Sequence, residues 1–319
     1  MKKGWLCLSL VGILLVAGCS KVQTINGVEV TGEVSEEASS TMEETTVEQT
    51  EETTTEEVES TQESTEETPE ENPREVATET TQNETADYNK LSNETNAWWF
   101  KRNTEHQPSG AQDKIPIEKY DAYYVDKNTK EKVIYLTFDC GYENGFTPKI
   151  LDVLKKKKAK AMFFVTRTFI RDNVDLVKRM KEEGHLVGNH TCTHPSLPSK
   201  SVEEIKKEIE DCASYCKEAT GYEMDPYIRP PKGEYSERTL QVTKDLGYKT
   251  IFWSMAYLDY DVNNQPGKAY VVEHFKKYYH PGAIPLMHNV SQSNAEALEE
   301  IVDYLQNMGY SFESLDEMQ

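Results

Sequence analysis

Short apolar runs rich in β-branched and aromatic residues alternate with amphipathic stretches along the chain from Lys132 onward. This alternation is typical of β/α units whose strands form a parallel sheet. We predict seven strands, at residues 133–138, 161–165, 185–189, 227–228, 249–253, 283–287 and 310–312. We predict six helices, at residues 147–158, 173–183, 201–219, 236–246, 268–279 and 294–308. The expected fold class is α/β, and a barrel is one way to close such a sheet.

Residues at the helix ends support these boundaries. Ser201 is followed three residues later by Glu204, which is the spacing of a capping box. Gly184, Gly247 and Gly309 stand directly after predicted helices, where a glycine in the left-handed conformation commonly ends a helix.

Five polar side chains stand at or beyond the ends of predicted strands. Asp139 follows the first strand, His190 the third, Arg229 the fourth and His288 the sixth, while Asp259 lies beyond the fifth. In a parallel barrel the carboxyl ends of all strands meet on one face, and functional residues collect there. We therefore expect these five groups to converge on one site.

Two histidines four residues apart, His190 and His194, form a candidate metal site. If the segment is helical or tightly turned, both imidazoles face the same way and can bind one divalent cation. Histidine pairs also occur facing solvent or hydrogen-bonded to a core. The presence of Asp139 and His288 at neighbouring strand ends favours the metal site.

Asp139 runs into a glycine turn, and Arg229 precedes two prolines that stiffen its turn. Asp139 can simply cap a loop, and Arg229 can simply be a surface cation. If the two are buried together, the guanidinium keeps the carboxylate ionised, which suits a base that takes a proton from water.

Residues 31–95 consist largely of Glu, Thr and Ser and contain very few aromatic or branched apolar residues. Such a segment cannot bury enough apolar surface to offset the chain entropy lost on folding. We expect a disordered acidic spacer at residues 20–96 and one folded domain at residues 97–319. Of the net charge of −21, about −19 belongs to the spacer, so the folded domain is only mildly acidic. Nothing in the sequence therefore indicates the basic surface that nucleic-acid binding requires.

The N-terminus has the layout of a secretory signal. Lys2 and Lys3 precede an apolar run at residues 5–17, which is short for a membrane span. The run ends in LVAGC, which resembles the lipobox of bacterial lipoproteins. The resemblance implies a signal peptide at residues 1–19, a diacylglyceryl anchor on Cys19 and a location at the outer face of the cytoplasmic membrane. An ordinary signal peptide with an incidental cysteine is the alternative.

Five motifs in chain order resemble those of the NodB-homology polysaccharide deacetylases, carbohydrate esterase family four. They are TFDCG at 137–141, HTCTH at 190–194, RPP at 229–231, the segment at 253–260, and LMH at 286–288. The resemblance covers residues 133–315 and implies a distorted (β/α)7 barrel of the NodB-homology type. It also implies a metal-dependent hydrolase that removes acetyl groups from amino sugars of cell-wall glycan.

The resemblance implies a role for each motif. Asp139 is implied to be the general base, His190 and His194 to bind the metal, and His288 to protonate the leaving amine. The implied cofactor is a divalent metal, with zinc expected and cobalt, manganese or magnesium as alternatives.

Two residues have supporting roles by the same resemblance. Arg229 would hold Asp139, and Asp259 would steady Arg229 or His288. Aromatic side chains near these motifs are candidates for contact with sugar rings, or for core packing instead: Tyr142, Trp253, Tyr257 and Tyr260.

Three positions depart from the family pattern. Cys140 stands where the family has a second aspartate that ligates the metal, so its thiolate is a candidate third ligand. The alternative is a weaker site of two histidines. Lys232 replaces an aromatic residue after the prolines, and Tyr260 replaces a tryptophan.

The departures narrow the resemblance to muramic-acid deacetylases that form δ-lactam in spore-cortex peptidoglycan. The runs TFDCGYENG at 137–145, RPPKG at 229–233 and WFKR at 99–102 fit that branch. The resemblance implies N-acetylmuramic acid as the substrate and peptidoglycan strands as the partner, with peptide-stripped strands as one form of that partner. We expect the protein to be a monomer. The lipid anchor and the long acidic spacer are not features of that branch, which leaves a sporulation role open.

Two alternatives remain. The first is a deacetylase acting on N-acetylglucosamine in peptidoglycan or chitooligosaccharides, since both sugars carry the same acetamide. The second is a non-catalytic wall-binding lipoprotein, which Cys140 would favour as a sign of a decayed site.

Overall fold

The computed structural model describes residues 87–318. The predicted signal peptide, the lipidation site Cys19 and the spacer up to residue 86 lie outside the described residues. Within residues 87–318, no helix combines the length and the apolar character that crossing a membrane requires.

The described residues contain short strands at the following positions: β1 (Asn96–Ala97), β2 (Phe100–Lys101), β3 (Gly110–Ala111), β4 (Ala122–Tyr123), β5 (Val133–Ile134), β6 (Leu136–Cys140), β7 (Ala161–Val165), β8 (Leu186–Asn189), β9 (Tyr227–Ile228), β10 (Glu234–Tyr235), β11 (Lys249–Ile251), β12 (Leu286–His288) and β13 (Ser311–Phe312). They contain α-helices at the following positions: α1 (Thr147–Lys157), α2 (Arg167–Asp172), α3 (Val174–Glu182), α4 (Val202–Thr220), α5 (Glu237–Asp245), α6 (Lys268–Tyr278) and α7 (Gln292–Asn307).

Seven strands form one parallel sheet in the order β12–β6–β7–β8–β9–β11–β4. The sheet curls into a half-barrel. Its edge strands β12 and β4 are not paired with each other within the part of the chain described, and the gap is crossed by isolated bridges such as Val125–Ala283. This arrangement confirms the predicted α/β class and the distorted barrel.

The seven strands of the sheet are not the seven that the sequence predicts. The predicted strand at residues 310–312 corresponds to β13, which pairs with β5 outside the main sheet. The seventh place belongs to β4, which pairs with β11. Strand β4 has only two residues, too few to show an alternating pattern.

The predicted helix ends agree with the structure. Ser201 and Glu204 form a reciprocal capping box at the start of α4. Gly184, Gly247 and Gly309 have φ of 75°, 83° and 84°, in the left-handed region that favours glycine. Helix α2 is the one α-helix in the described residues that the sequence reasoning missed, and it has only six residues.

Side chains along β6 alternate between the two faces of the sheet. Leu136, Phe138 and Cys140 belong to an apolar cluster with the buried faces of α1, α3, α6 and α7. Thr137 and Asp139 therefore point to the opposite face, since successive side chains of a strand do so. This alternation places Asp139, but not Cys140, on the inner face of the curled sheet.

The folded part begins before the predicted boundary at residue 97. Asn93 donates from Nδ2 to the carbonyl of Pro198 at 2.8 Å, and β1 pairs antiparallel with β10. Trp98 follows β1, where its backbone N–H donates to the carbonyl of Gly233 at 2.8 Å and its indole N–H donates to the carbonyl of Trp253 at 2.9 Å. Residues 87–96 are thus packed onto the domain and are not part of a spacer.

Candidate active site

Asp139 and Arg229 form a buried ion pair at the end of β6. Arg229 is fully buried, and its Nη1 donates to Asp139 Oδ1 at 2.8 Å. Its other nitrogens donate to the carbonyls of Ile251 at 3.0 Å and Phe252 at 3.2 Å, and the guanidinium lies 4.4 Å from the ring centre of Phe164. Burial by itself would raise the pKa of Asp139, but the Arg229 charge, aided by nearby histidines, lowers it.

His190 and His194 lie on a tight turn after β8 and not on a helix. Thr191 and His194 have left-handed backbone conformations, with φ of 69° and 57°, and the two imidazole centroids are 4.8 Å apart. Because the carbonyl of Arg229 can only accept, His190 donates to it from Nδ1 at 2.8 Å. The lone pair is then on Nε2, which lies 3.6 Å from Asp139 Oδ2.

Both imidazoles of this pair have lowered pKa values. Burial lowers the pKa of His190 to about 4. Burial also lowers the pKa of His194; Asp139 opposes this effect and the charge of Lys232 adds to it. The pair is therefore neutral near pH 7, which is the form of histidine that binds a metal.

Glu208 on α4 holds the residues between the two histidines. Its carboxylate accepts from the backbone N–H of Thr193 at 2.8 Å and from Thr193 Oγ1 at 2.7 Å. Its carbonyl accepts from the N–H of Cys192 at 3.1 Å. These bonds stabilise a turn that carries two non-glycine residues in the left-handed region.

His288, the last residue of β12, is oriented by Asp259. Its backbone N–H donates to Asp259 Oδ2 at 2.8 Å, and its Nδ1 donates to Asp259 Oδ1 at 2.7 Å. Asn294 completes the network by donating from Nδ2 to Asp259 Oδ2 at 2.6 Å and to the carbonyl of His288 at 3.1 Å. Burial by itself would lower the pKa of His288, but Asp259 outweighs burial and the pKa is raised.

These groups face one cavity of about 570 Å³. The lining residues are Asp139, Gly141, Tyr142, His190, His194, Lys232, Gly233, Trp253, Tyr260, Leu286, His288, Asn289 and Val290. The rings of Tyr142 and Tyr260 are largely exposed at this cavity, while Trp253 is half-buried. Tyr257, in contrast, is buried and donates to Asn294 Oδ1 at 2.8 Å, so it packs beneath the site.

Of the five predicted strand-end groups, the structure brings Asp139, His190 and His288 to the cavity wall, with Arg229 and Asp259 directly behind them. Asp259 contacts His288 and not Arg229 in the described hydrogen bonds, which resolves the two options the sequence left open. Sequence reasoning missed Glu208 and Asn294 as supporting residues. No local pattern separates them from the other polar residues of α4 and α7.

The expectation that Cys140 is a third metal ligand is wrong for this structure. Cys140 is fully buried in the apolar cluster and does not line the cavity. Burial also raises the pKa of its thiol well above the usual value. In this structure Cys140 lies on the face of β6 that packs against the helices, whereas Asp139 points into the cavity.

Within residues 87–318 no group of three or more His, Cys, Asp or Glu side chains is arranged to hold a metal ion. The donors that are present still fit a divalent cation. His190 and His194 are neutral, and the Nδ1 of His190 is hydrogen-bonded to a carbonyl, the arrangement that orients a metal-binding imidazole through its other nitrogen. The residues match the two-histidine alternative.

Known proteins share both sequence and fold with this chain. A family model described as polysaccharide deacetylase matches residues 126–251. The chain is 50% identical over 230 residues to PdaA of Bacillus subtilis, a peptidoglycan-N-acetylmuramic acid deacetylase, which covers 72% of this chain and 87% of PdaA. It is 35% identical over 194 residues to the peptidoglycan-N-acetylglucosamine deacetylase PgdA of Listeria monocytogenes, covering 61% of this chain and 40% of PgdA.

Solved structures agree with these matches. The structure of B. subtilis PdaA, a family 4 carbohydrate esterase, superposes with a TM-score of 0.69 at 49% identity and covers 72% of this chain and 98% of that one. A family 4 carbohydrate esterase from Bacillus anthracis superposes with a TM-score of 0.59 at 41% identity, covering 72% of this chain and 97% of that one.

Proposed function

This chain belongs to the polysaccharide deacetylases of carbohydrate esterase family four, hydrolases that act on carbon–nitrogen bonds other than peptide bonds, and we propose that it deacetylates N-acetylmuramic acid in peptidoglycan. The observation that carries the proposal is the meeting of Asp139, His190, His194 and His288 around one cavity. The substrate follows from the 50% identity to PdaA.

The general base and the general acid of the proposed reaction lie on the neighbouring strands β6 and β12. Asp139, kept ionised by Arg229, takes a proton from water as the water oxygen bonds to the acetyl carbon. His288 gives a proton from Nε2 to the amide nitrogen as the C–N bond breaks. Acetate and a free amino sugar are the products. Asp259 is a positioning residue, because it fixes His288 at Nδ1 and raises its pKa.

His190 and His194 would hold the divalent metal on which the family depends. Bound there, the cation supplies Lewis-acid polarisation of the acetyl carbonyl and of the attacking water. We propose zinc, which suits an imidazole donor set, with cobalt, manganese or magnesium as alternatives. Metal content of the purified protein, and activity restored after chelation by each metal in turn, would identify it.

Three aromatic side chains are proposed to contact the sugar: Tyr142, Trp253 and Tyr260. The exposed faces of Tyr142 and Tyr260 at the cavity support stacking on sugar rings. Trp253 is partly committed to packing, since its ring lies 5.7 Å from the Arg229 guanidinium.

The test is mass spectrometry of digested peptidoglycan with and without the purified enzyme. We expect acetyl loss on muramic acid. Acetyl loss on glucosamine alone would replace this substrate with the alternative that PgdA represents. No acetate release by the metal-loaded protein on either sugar would favour the non-catalytic wall-binding alternative.

We also propose that the chain is a monomeric lipoprotein with a signal at residues 1–19, an anchor on Cys19 and an acidic spacer between the anchor and the folded domain. It would act from the outer face of the cytoplasmic membrane on the wall, in a δ-lactam type of modification as in sporulation. The LVAGC run and the acidic composition support this layout. Metabolic labelling with a fatty-acid probe should mark the wild type and not Cys19→Ala.

A further inference from the structure

Tyr257 lies beneath the cavity, and its hydroxyl contacts the network that orients the general acid. The side chain is buried, and its hydroxyl donates to Asn294 Oδ1 at 2.8 Å. Burial raises the pKa of Tyr257 well above its usual value, so the hydroxyl stays protonated near neutral pH and remains a donor. Because Tyr257 does not line the cavity, contact with the sugar does not explain the placement of this hydroxyl.

The amide group of Asn294 has one orientation that satisfies all of these neighbours. Its Nδ2 donates to Asp259 Oδ2 at 2.6 Å and to the carbonyl of His288 at 3.1 Å, and both of these oxygens can only accept. Its Oδ1 accepts from Tyr257. Asn294 is fully buried, so an unpaired Oδ1 would destabilise this orientation. The hydroxyl of Tyr257 therefore fixes which side of the amide faces Asp259.

Other bonds hold the backbone around Asp259. Gln265 donates from Nε2 to the carbonyl of Asp259 at 2.7 Å. Its Oε1 accepts from Ser291 Oγ at 2.6 Å, directly before α7. The loop that carries Asp259 is thus tied to the start of α7 without any contribution from Tyr257. The hydroxyl of Tyr257 acts instead on the orientation of the Asp259 side chain.

Helix α6 holds the ring of Tyr257. The ring centroid lies 4.8 Å from that of His274, 6.2 Å from that of Tyr270 and 6.4 Å from that of Phe275. The substitution Tyr257→Phe keeps this aromatic packing and removes only the hydroxyl. It therefore separates the hydrogen bond to Asn294 from the contribution of the ring.

We propose that Tyr257 and Asn294 are positioning residues of the general acid. The Tyr257 hydroxyl orients the Asn294 amide, and the amide holds the Asp259 carboxylate against His288. Both residues act through Asp259, because neither lines the cavity. The inference rests on the proposed function, in which His288 gives a proton to the leaving amine, and extends it to two residues behind the cavity wall.

Each donor to Asp259 also limits how strongly the carboxylate attracts the proton of His288. Successive hydrogen bonds polarise one another, so loss of the Tyr257 hydroxyl weakens the bond from Asn294 to Asp259. More negative charge then remains on the carboxylate. His288 holds its proton more tightly as a result and gives it to the amide nitrogen more slowly.

The experiment compares the metal-loaded wild type with Tyr257→Phe, Asn294→Ala and the double variant, by acetate release from peptidoglycan strands at a series of pH values. Tyr135→Phe is the matched control. Tyr135 is also buried, and its hydroxyl donates to the Asp126 carboxylate at 3.0 Å, but it does not line the cavity. The Tm of each variant is measured alongside, so that a loss of stability is recorded separately from a loss of activity.

Tyr257→Phe should lower kcat about 2- to 10-fold, the range of one hydrogen bond, with KM little changed. The alkaline limb of its pH profile of kcat/KM should move to higher pH. Asn294→Ala should lower kcat further, and the double variant should match Asn294→Ala, because Tyr257 acts through Asn294. Tyr135→Phe should lower the Tm and leave kcat and the pH profile in place.

An NMR titration of His288 in the zinc-loaded proteins gives a readout that needs no turnover. The midpoint of His288 should lie at higher pH in Tyr257→Phe than in the wild type and in Tyr135→Phe. The charged groups that face His288 are Asp259, Asp139 and Arg229, and none of these variants changes them. A shifted midpoint therefore reports the hydrogen bonds to Asp259, and it decides the question even where Asn294→Ala does not fold.

Two kinds of result overturn the inference. If the alkaline limb and the His288 midpoint of Tyr257→Phe stay in place or move to lower pH, or if the losses in kcat of the two single variants add in the double variant, Tyr257 does not position the acid and the proposed function stands. If the wild type releases no acetate from either sugar, the proposed function fails and the inference fails with it.

Discussion

The buried pair of Asp139 and Arg229 allows a stability prediction that is separate from activity. Replacing Arg229 by Met removes three donors: one from the Asp139 carboxylate and one each from two buried carbonyls. Removing one partner of a buried ion pair costs about 3–5 kcal/mol, because the other charge stays buried and unpaired. For a domain of this size that corresponds to a fall in Tm of about 6–20 °C.

The assay is thermal unfolding of the metal-free protein, so that metal binding does not contribute to Tm. The double variant Arg229→Met/Asp139→Asn carries neither charge and should recover most of the lost stability while staying inactive. Since the Arg229 charge lowers the pKa of Asp139, the stabilisation by the pair is present above the ordinary aspartate pKa of about 4 and lost as the pH falls through the lowered value. The gap between the wild type and Arg229→Met should therefore narrow in acid. An Arg229→Met protein that melts with the wild type at pH 7, or a double variant less stable than both singles, would refute this reasoning.

Three further predictions concern the surroundings of the site. Asp259→Asn removes the carboxylate that raises the pKa of His288, so the alkaline limb of the pH profile of kcat/KM should move to lower pH. An alkaline limb that stays in place would show that His288 is not the general acid. Glu208→Ala should weaken metal binding about 10- to 100-fold, as measured by calorimetry, because Glu208 holds the turn between the two histidines. The control Glu203→Ala changes an exposed residue of the same helix and should leave the metal affinity unchanged. Equal affinities of the two variants would mean that Glu208 has no positioning role. Gly188→Ala places a Cβ 2.7 Å from the Tyr227 carbonyl oxygen, so the free energy of unfolding measured by chemical denaturation should fall by about 1–3 kcal/mol. An unchanged free energy of unfolding would mean that β8 and β9 separate easily.

The sequence predicted most of the fold because its signals are local. The strand at residues 161–165 and the capping box of Ser201 agree with the structure residue for residue. Parallel topology then brings strand ends together, so Asp139 and His288, distant along the chain, are register partners on β6 and β12. The two-residue strand β4 carried no such signal, since its place depends on pairing with β11.

The sequence predicted the site residues that stand at the end of a strand. It did not predict residues whose role depends on side-chain orientation or on contacts with distant elements. Cys140 is adjacent to Asp139 in sequence but faces the helices, because strand parity separates neighbours. Glu208 and Asn294 act through hydrogen bonds to residues of other elements. Only the three-dimensional packing of α4 and α7 against the strand ends reveals them.

Trp98 links the entry of the chain into the domain to the wall of the cavity. It is bonded to the carbonyls of Gly233 and Trp253, and its ring stacks on Phe252 at 4.4 Å. The Lys232 turn is therefore shaped by a segment that precedes the barrel, whereas the acid and the base are mounted on the barrel itself. Swapping residues 87–101 between relatives should therefore reshape this wall of the cavity and leave Asp139 and His288 in place.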